Sequence, residues 1–201
     1  MNSPPTSPYA AFNLRKNPFG SVRLKDWRSL IVADLKPLIA HLKQERAAIQ
    51  FYGDCGRGKS THLRALHSYF SEAPYIYIGE GEKPDIPFEP LLFLDETQRI
   101  PWWRRARIFR NICSIALATH KLHTRQLQRQ GYEVLTIEVG GLEWEKLKQV
   151  VHNRLEWARL GEGELPSIPD EVLRSFFDLY GDDLRSIERA LYEYIQTLMT
   201  K

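Results

Sequence analysis

The sequence predicts an α/β protein with a five-stranded, mostly parallel sheet as its core and a small all-helical subdomain at the C-terminus. Two observations carry this reading. Short apolar runs without strict polar alternation recur up to about residue 139, as in strands buried on both faces. From Trp144 onward the apolar spacing is helical only. Strands alternating with helices imply a layered core, and helices alone a separate packing unit.

Taken in order, residues 1–20 are rich in Pro, Ser and Asn without periodicity and read as a flexible N-terminal arm. Leu30, Ile31, Leu35, Leu38, Ile39 and Leu42 follow helical spacing, with Pro37 placed to kink or split the helix. The expected strands are 48–52, 75–78, 91–94, 115–119 and 134–139, with helices over 59–70 and 102–113 between them. The stretch from Gly79 to Pro90 is too rich in Gly and Pro for a helix, which abbreviates the core there. Three further helices are expected near 143–160, 169–180 and 182–199, separated by Gly161, Gly163, Pro166, Pro169 and Gly181. The predicted division is an arm over 1–20, an α/β core over 21–141 and a helical lid over 142–201.

Composition narrows the class. At 43% apolar and 26% charged residues in 201, collagen-like, wholly disordered and disulfide-stapled chains are excluded. Two cysteines, Cys55 and Cys113, cannot build a disulfide framework and favour a reducing interior. No apolar run approaches the roughly 18 residues that span a bilayer, and the start lacks the charged and apolar regions of a signal peptide. A cytoplasmic protein without a membrane partner is expected.

Net charge is +3, but unevenly spread: from Thr97 to Tyr132 there is no acid, while seven arginines and Lys121 leave the remainder of the chain at −5. Such clustering points to anionic partners.

The strongest motif is Gly53-Asp54-Cys55-Gly56-Arg57-Gly58-Lys59-Ser60, followed by Thr61. It fits G-x-x-x-x-G-K-[ST], follows a strand-like run and opens a helix, which is the context that a phosphate-binding loop needs. Glycines let the backbone curl so that successive N–H groups face phosphate oxygens, and Lys59 reaches the β and γ phosphates. Ser60 would hold Mg2+. Downstream, Leu91-Leu-Phe-Leu-Asp95-Glu96 is an apolar run ending in two acids. Beside a phosphate loop, Asp95 is placed to bind Mg2+ and Glu96 to orient an attacking water. The expected cofactors are ATP and Mg2+. The six histidines show no zinc-type spacing, and Cys55 serves as a small filler in the loop.

These two motifs, the run ending Ser114-Ile-Ala-Leu-Ala-Thr119, and a helical C-terminus containing Gly181-Asp-Asp-Leu-Arg185 resemble an AAA+ P-loop ATPase. Asp95-Glu96-Thr97-Gln98, Asn17-Pro18-Phe19-Gly20 and Leu155 after Arg154 resemble in particular bacterial secretion and transposition ATPases related to the origin-recognition group. The resemblance spans residues 17–198. It implies that Thr119 and Arg185 sense the γ-phosphate, that Asn17 to Gly20 lie near the adenine, and that Arg125 or Arg129 serves a neighbouring protomer in a homo-oligomer. It also implies a helix between the second and third strands, which this sequence lacks.

Arg104, Arg105, Arg107 and Arg110 follow Trp102 and Trp103 on an expected helix, a cationic, aromatic-flanked face suited to nucleic acid. The function expected is an Mg2+-dependent ATPase whose nucleotide state controls assembly and contact with a protein or DNA partner. A nucleotide-gated switch with negligible turnover is the alternative. A small-molecule kinase is disfavoured by the acidic pair and the helical C-terminus.

Overall fold

The computed structural model describes residues 7–199. The described chain divides into two compact units, one formed by residues 33–140 and the other by residues 7–32 together with 141–199.

The first unit holds the sheet. Strands β1 (Ala47–Tyr52), β2 (Tyr75–Tyr77), β3 (Leu91–Asp95), β4 (Ser114–Thr119) and β5 (Glu133–Glu138) stand in the order β2-β3-β4-β1-β5. Every pairing is parallel. The central strands are buried almost throughout, as their unbroken apolar runs require. The edge strand β5 is instead exposed or only partly buried at every position, because a sheet neighbour covers only one side of it.

Successive side chains on a strand point to opposite faces, so the sheet needs a cover on each. On one face Phe51 and Phe93 meet α3 (Lys59–His67), with ring centroids 5.6 Å from His62 and 4.8 Å from His67. On the other, Leu92, Leu94, Ile115 and Leu117 pack with Ile108 and Phe109 of α4 (Trp102–Asn111) and Leu127 of α5 (Thr124–Gln128). Each such burial stabilises the fold by about 1.5–3 kcal/mol. Residues 79–90 contain no helix, as their glycines and prolines dictate.

Parallel strands put all their carboxyl ends on one edge. Tyr52 pairs with Thr119, and Asp95 with Ala118, so the loops after β1, β3 and β4 leave the sheet side by side. Ligands collect at such edges.

The second unit is helical: α1 (Trp27–Leu30), α6 (Trp144–Ala158), α7 (Asp170–Tyr180) and α8 (Leu184–Met199). Leu147, Val151, Leu173, Ile187, Leu191 and Ile195 form its core. The helical spacing from Leu30 to Leu42 is split between two short helices, and Pro37 sits in the first turn of α2 (Lys36–Leu42), where a missing N–H is harmless. Only α1 belongs to this unit.

The segment expected as a flexible arm is structured from Ser7 onward; residues 1–6 lie outside the described residues. Pro8–Phe12 forms a 3-10 turn, buried Leu14 bridges to Arg159, and Phe19 enters the helical core. Residues 21–32, expected with the sheet, likewise group with the helices. Trp27 explains this locally, for its ring lies 5.7 Å from the Arg154 guanidinium on α6. Aromatic anchors in a Pro-rich segment outweigh its lack of periodicity.

Candidate functional site

The loop after β1 owes its course to three glycines with positive φ: Gly53 at 152°, Gly56 at 80° and Gly58 at 93°. At Gly53 a Cβ would stand 2.2 Å from the Val139 carbonyl oxygen. The chain leaving β5 therefore closes directly on the loop, with the Val139 N–H donating to Tyr52 O at 2.7 Å. Gly58 caps α3 in a left-handed conformation, from which Lys59, Ser60 and Thr61 enter the helix. Asp54 and Cys55 are exposed, and Arg57 pairs with Asp54 at 3.2 Å.

Lys59 is buried, and its ammonium donates to the Asp54 carbonyl at 2.6 Å, inside the turn. Ser60 donates its hydroxyl to Asp95 Oδ1 at 3.1 Å. The loop and the acidic end of β3 thus converge in space, 35 residues apart in the chain. The other carboxylate oxygen of buried Asp95 accepts from the Tyr75 hydroxyl at 2.7 Å. Burial, and then Asp95 itself, push the Tyr75 phenol far above its ordinary pKa, so it remains a donor.

Glu96 sits just beyond the strand at φ 63°, an uncommon conformation for a residue with a Cβ. Its carboxylate accepts from Gln98 Nε2 at 2.6 Å and faces Arg99 at 3.4 Å. It also lies 3.6 Å from His120 Nε2, while His120 Nδ1 is 3.5 Å from the Lys59 ammonium. His120 therefore stands between the loop lysine and Glu96. Gln98 fastens it, accepting from the His120 backbone N–H at 3.1 Å.

Thr119, the residue matched by resemblance to a sensor, pairs with Tyr52, which precedes the loop. It is fully buried and closes its own turn, donating to Lys121 O at 2.9 Å and accepting from Lys121 N at 3.1 Å. The group between the two motifs is its neighbour. No spacing rule singles out His120; the only sequence signal is that it follows an apolar strand. Gln50, in the middle of β1, was also missed. It donates to Thr124 and Thr136 and accepts from His123 N at 3.0 Å, holding the turn that carries His120.

Arg185 lies at the second position of α8, in the helical unit. Its motif has a local explanation there. Gly181, at φ 60°, ends α7, and Asp183 caps α8 by accepting from Ser186 N and Ser186 Oγ. Asn17 to Gly20 also serve that unit. Asn17 Oδ1 accepts from Phe19 N, and its amide donates to Tyr192 O, each at 3.0 Å.

Ser60 and Asp95 are hard oxygen donors of the kind Mg2+ prefers, and Mg2+ is commonly held by one or two carboxylates with phosphate and water completing the shell. Among the described residues no cluster of three or more His, Cys, Asp or Glu could hold a metal unaided. The donor set fits Mg2+ brought with a nucleotide.

No family model matches this chain, and no curated protein matches it. Among solved structures it is similar to NtrX from Brucella abortus, with a TM-score of 0.50 and 14% identity over 88% of this chain and 53% of that one. The chain spans about half the length of that protein. A likeness at this identity shows an α/β fold with a five-stranded parallel sheet and nothing finer. The AAA+ assignment drawn from the sequence is accordingly corrected. It rested on short motifs that specify local chemistry, whereas a family is defined by a pattern along the whole chain, and none is found here. The sensing roles of Thr119 and Arg185, the adenine contact of Asn17 to Gly20 and the service of Arg125 or Arg129 to a neighbour lose that support with it.

Proposed function

We propose that the chain binds Mg·ATP in the loop over residues 53–60 and hydrolyses it, with nucleotide state governing self-assembly and contact with a partner. The observation supporting this is the Ser60–Asp95 hydrogen bond, which brings a phosphate-type loop against a carboxylate at the end of a neighbouring strand. In this reading the backbone N–H groups of the loop and the Lys59 ammonium bind the β and γ phosphates. Ser60 and Asp95 would hold the metal, which would supply positive charge beside the transferring phosphoryl group. Tyr75 keeps the Asp95 carboxylate oriented by its donated hydrogen bond. Glu96 accepts a proton from the attacking water, and His120 couples it to Lys59. The setting proposed for this chemistry is cytoplasmic, where exposed thiols such as Cys55 and Cys113 stay reduced.

One observation favours the slower alternative, a switch that holds ATP with little turnover. Glu96 is engaged by Gln98, Arg99 and His120 together and must shed some of these contacts to serve as a base. The two readings separate in one experiment. If the chain is a hydrolase, Glu96→Gln leaves Mg·ATP affinity within about threefold by calorimetry and lowers phosphate release by roughly a hundredfold or more. If the parent chain releases no phosphate, the switch reading stands. If Lys59→Ala binds Mg·ATP as the parent does, both fail.

A further inference from the structure

The sequence placed nucleic-acid contact on Arg104, Arg105, Arg107 and Arg110. The structure divides these four. Arg104 donates to the Pro84 carbonyl, and Arg107 lies 6.0 Å over the Phe88 ring. That side of α4 is thus partly overlaid by the segment 79–90, which carries Glu80, Glu82, Lys83, Asp85 and Glu89, while Arg107 and Arg110 stay exposed. The segment's net charge of −3 offsets part of the charge of the arginines it touches.

The opposite side differs. Arg105 is sunk between α4 and α5, donating to Gln126 Oε1 at 2.7 Å and to Ile100 O at 2.8 Å. Gln126 returns a bond to Trp102 O at 3.0 Å. These contacts form the floor of a groove of about 860 Å3 rimmed by Trp102, Leu122, Arg125 and Arg129. Trp102 is 72% exposed and Leu122 54%. No acid occurs between residues 97 and 132, and no ion pair engages Arg125 or Arg129 among the described residues. His123 stands in the groove wall. Burial first, then Arg105 and Lys121, hold its pKa down to about 4.

We propose that the groove between α4 and α5 binds single-stranded nucleic acid, with a base stacked on Trp102 and phosphates contacted by Arg125 and Arg129. An open tryptophan beside unneutralised arginines is the combination that single strands use, because every base offers a π-face and every linkage a charge. A duplex keeps its base faces within its own stack, so Trp102 would gain nothing from one. The uncharged Gln128 and Gln130 along the groove supply hydrogen bonds without favouring either charge.

The test is fluorescence anisotropy with labelled oligothymidylate of about 20 nucleotides, longer than the roughly 4–16 that one such groove covers, on the full chain without nucleotide. Trp102→Ala should weaken binding about tenfold, the scale of one stacked base. Arg125→Ala with Arg129→Ala should weaken it further and reduce the slope of log affinity against log salt by about 1–2. Arg107→Ala, on the partly overlaid side, should change affinity less than about twofold. Lys59→Ala should bind oligothymidylate as the parent does, so loss of the nucleotide reading leaves this one intact. Equal affinity for duplex or for polyglutamate overturns the proposal. So does a groove variant that changes self-association while leaving oligonucleotide affinity untouched, which would make the groove a contact between copies of the chain.

Discussion

Asp95 shows how much one side chain depends on its neighbours. The carboxylate is buried, and each oxygen has a donor, Ser60 on one side and Tyr75 on the other. Arg64 supports the arrangement by donating to the Tyr75 oxygen at 3.3 Å. Asp95 and Glu96 were readable in the sequence because they end an apolar run. Tyr75, Gln50 and His120 were not, since each acts on a partner brought near only by the sheet.

His123 yields a prediction at the same scale. Its folded pKa, about 4, lies below the ordinary 6.5, so between those values the unfolded chain binds more protons and stability rises with pH. The contribution is complete above about pH 6.5 and is lost as pH falls towards 4. A shift of this size corresponds to roughly 3 kcal/mol. Urea midpoints followed from pH 7.5 down to 4 should fall in the parent and fall clearly less in His123→Gln. Buried His67, also held below its ordinary value by burial, leaves a residual slope. Identical slopes in parent and variant would mean that His123 is not the group responsible.

Among the elements, the phosphate-type loop is the one whose geometry leaves least latitude. Gly53→Ala puts a methyl against the Val139 carbonyl, a backbone atom that cannot swing aside, at a φ that L-residues rarely adopt. The expected cost is at least about 2 kcal/mol by thermal or denaturant unfolding. Gly131→Ala, where a Cβ meets nothing within 4 Å, should cost less, and an equal loss at both sites would contradict the crowding at Gly53. In the helical unit, α6 and α8 are joined by Arg154 and Glu188 at 2.7 Å, with the Arg154 side chain 7% exposed. Removing the acid strands a buried guanidinium, so Glu188→Ala should lose about 3 kcal/mol. The Gly181 to Arg185 motif teaches the same lesson. Glycine, aspartate and leucine at such a joint are also what one helix needs to stop and the next to start.

At the scale of the molecule, binding and assembly are the observables. A ligand that binds only the folded chain stabilises it by about 2.7 kcal/mol at a hundredfold excess over its dissociation constant. Mg·ATP should therefore raise the melting midpoint of the parent and leave that of Lys59→Ala unmoved. Sizing with ADP, ATP and a non-hydrolysable analogue should show a larger particle only with the triphosphates. A particle of the same size throughout would remove assembly from the proposed function. Among the described residues no helix is long and apolar enough to cross a membrane.

The sequence alone determined whatever depends on near neighbours. The parallel α/β core followed from strand composition, the helical C-terminus from apolar spacing, and the loop and its acidic counterpart from residue types at fixed intervals. Tertiary structure decided the rest. It joined the proline-rich N-terminal segment to the C-terminal helices through Leu14, Phe19 and Trp27. It set His120 rather than Thr119 between Lys59 and Glu96, and it sank Arg105 between α4 and α5 while leaving Arg107 and Arg110 exposed. The reason is physical. Periodicity and turn chemistry act over a few residues, whereas which side chains share a site depends on strand order, and strand order is settled by burying both faces of the sheet at once.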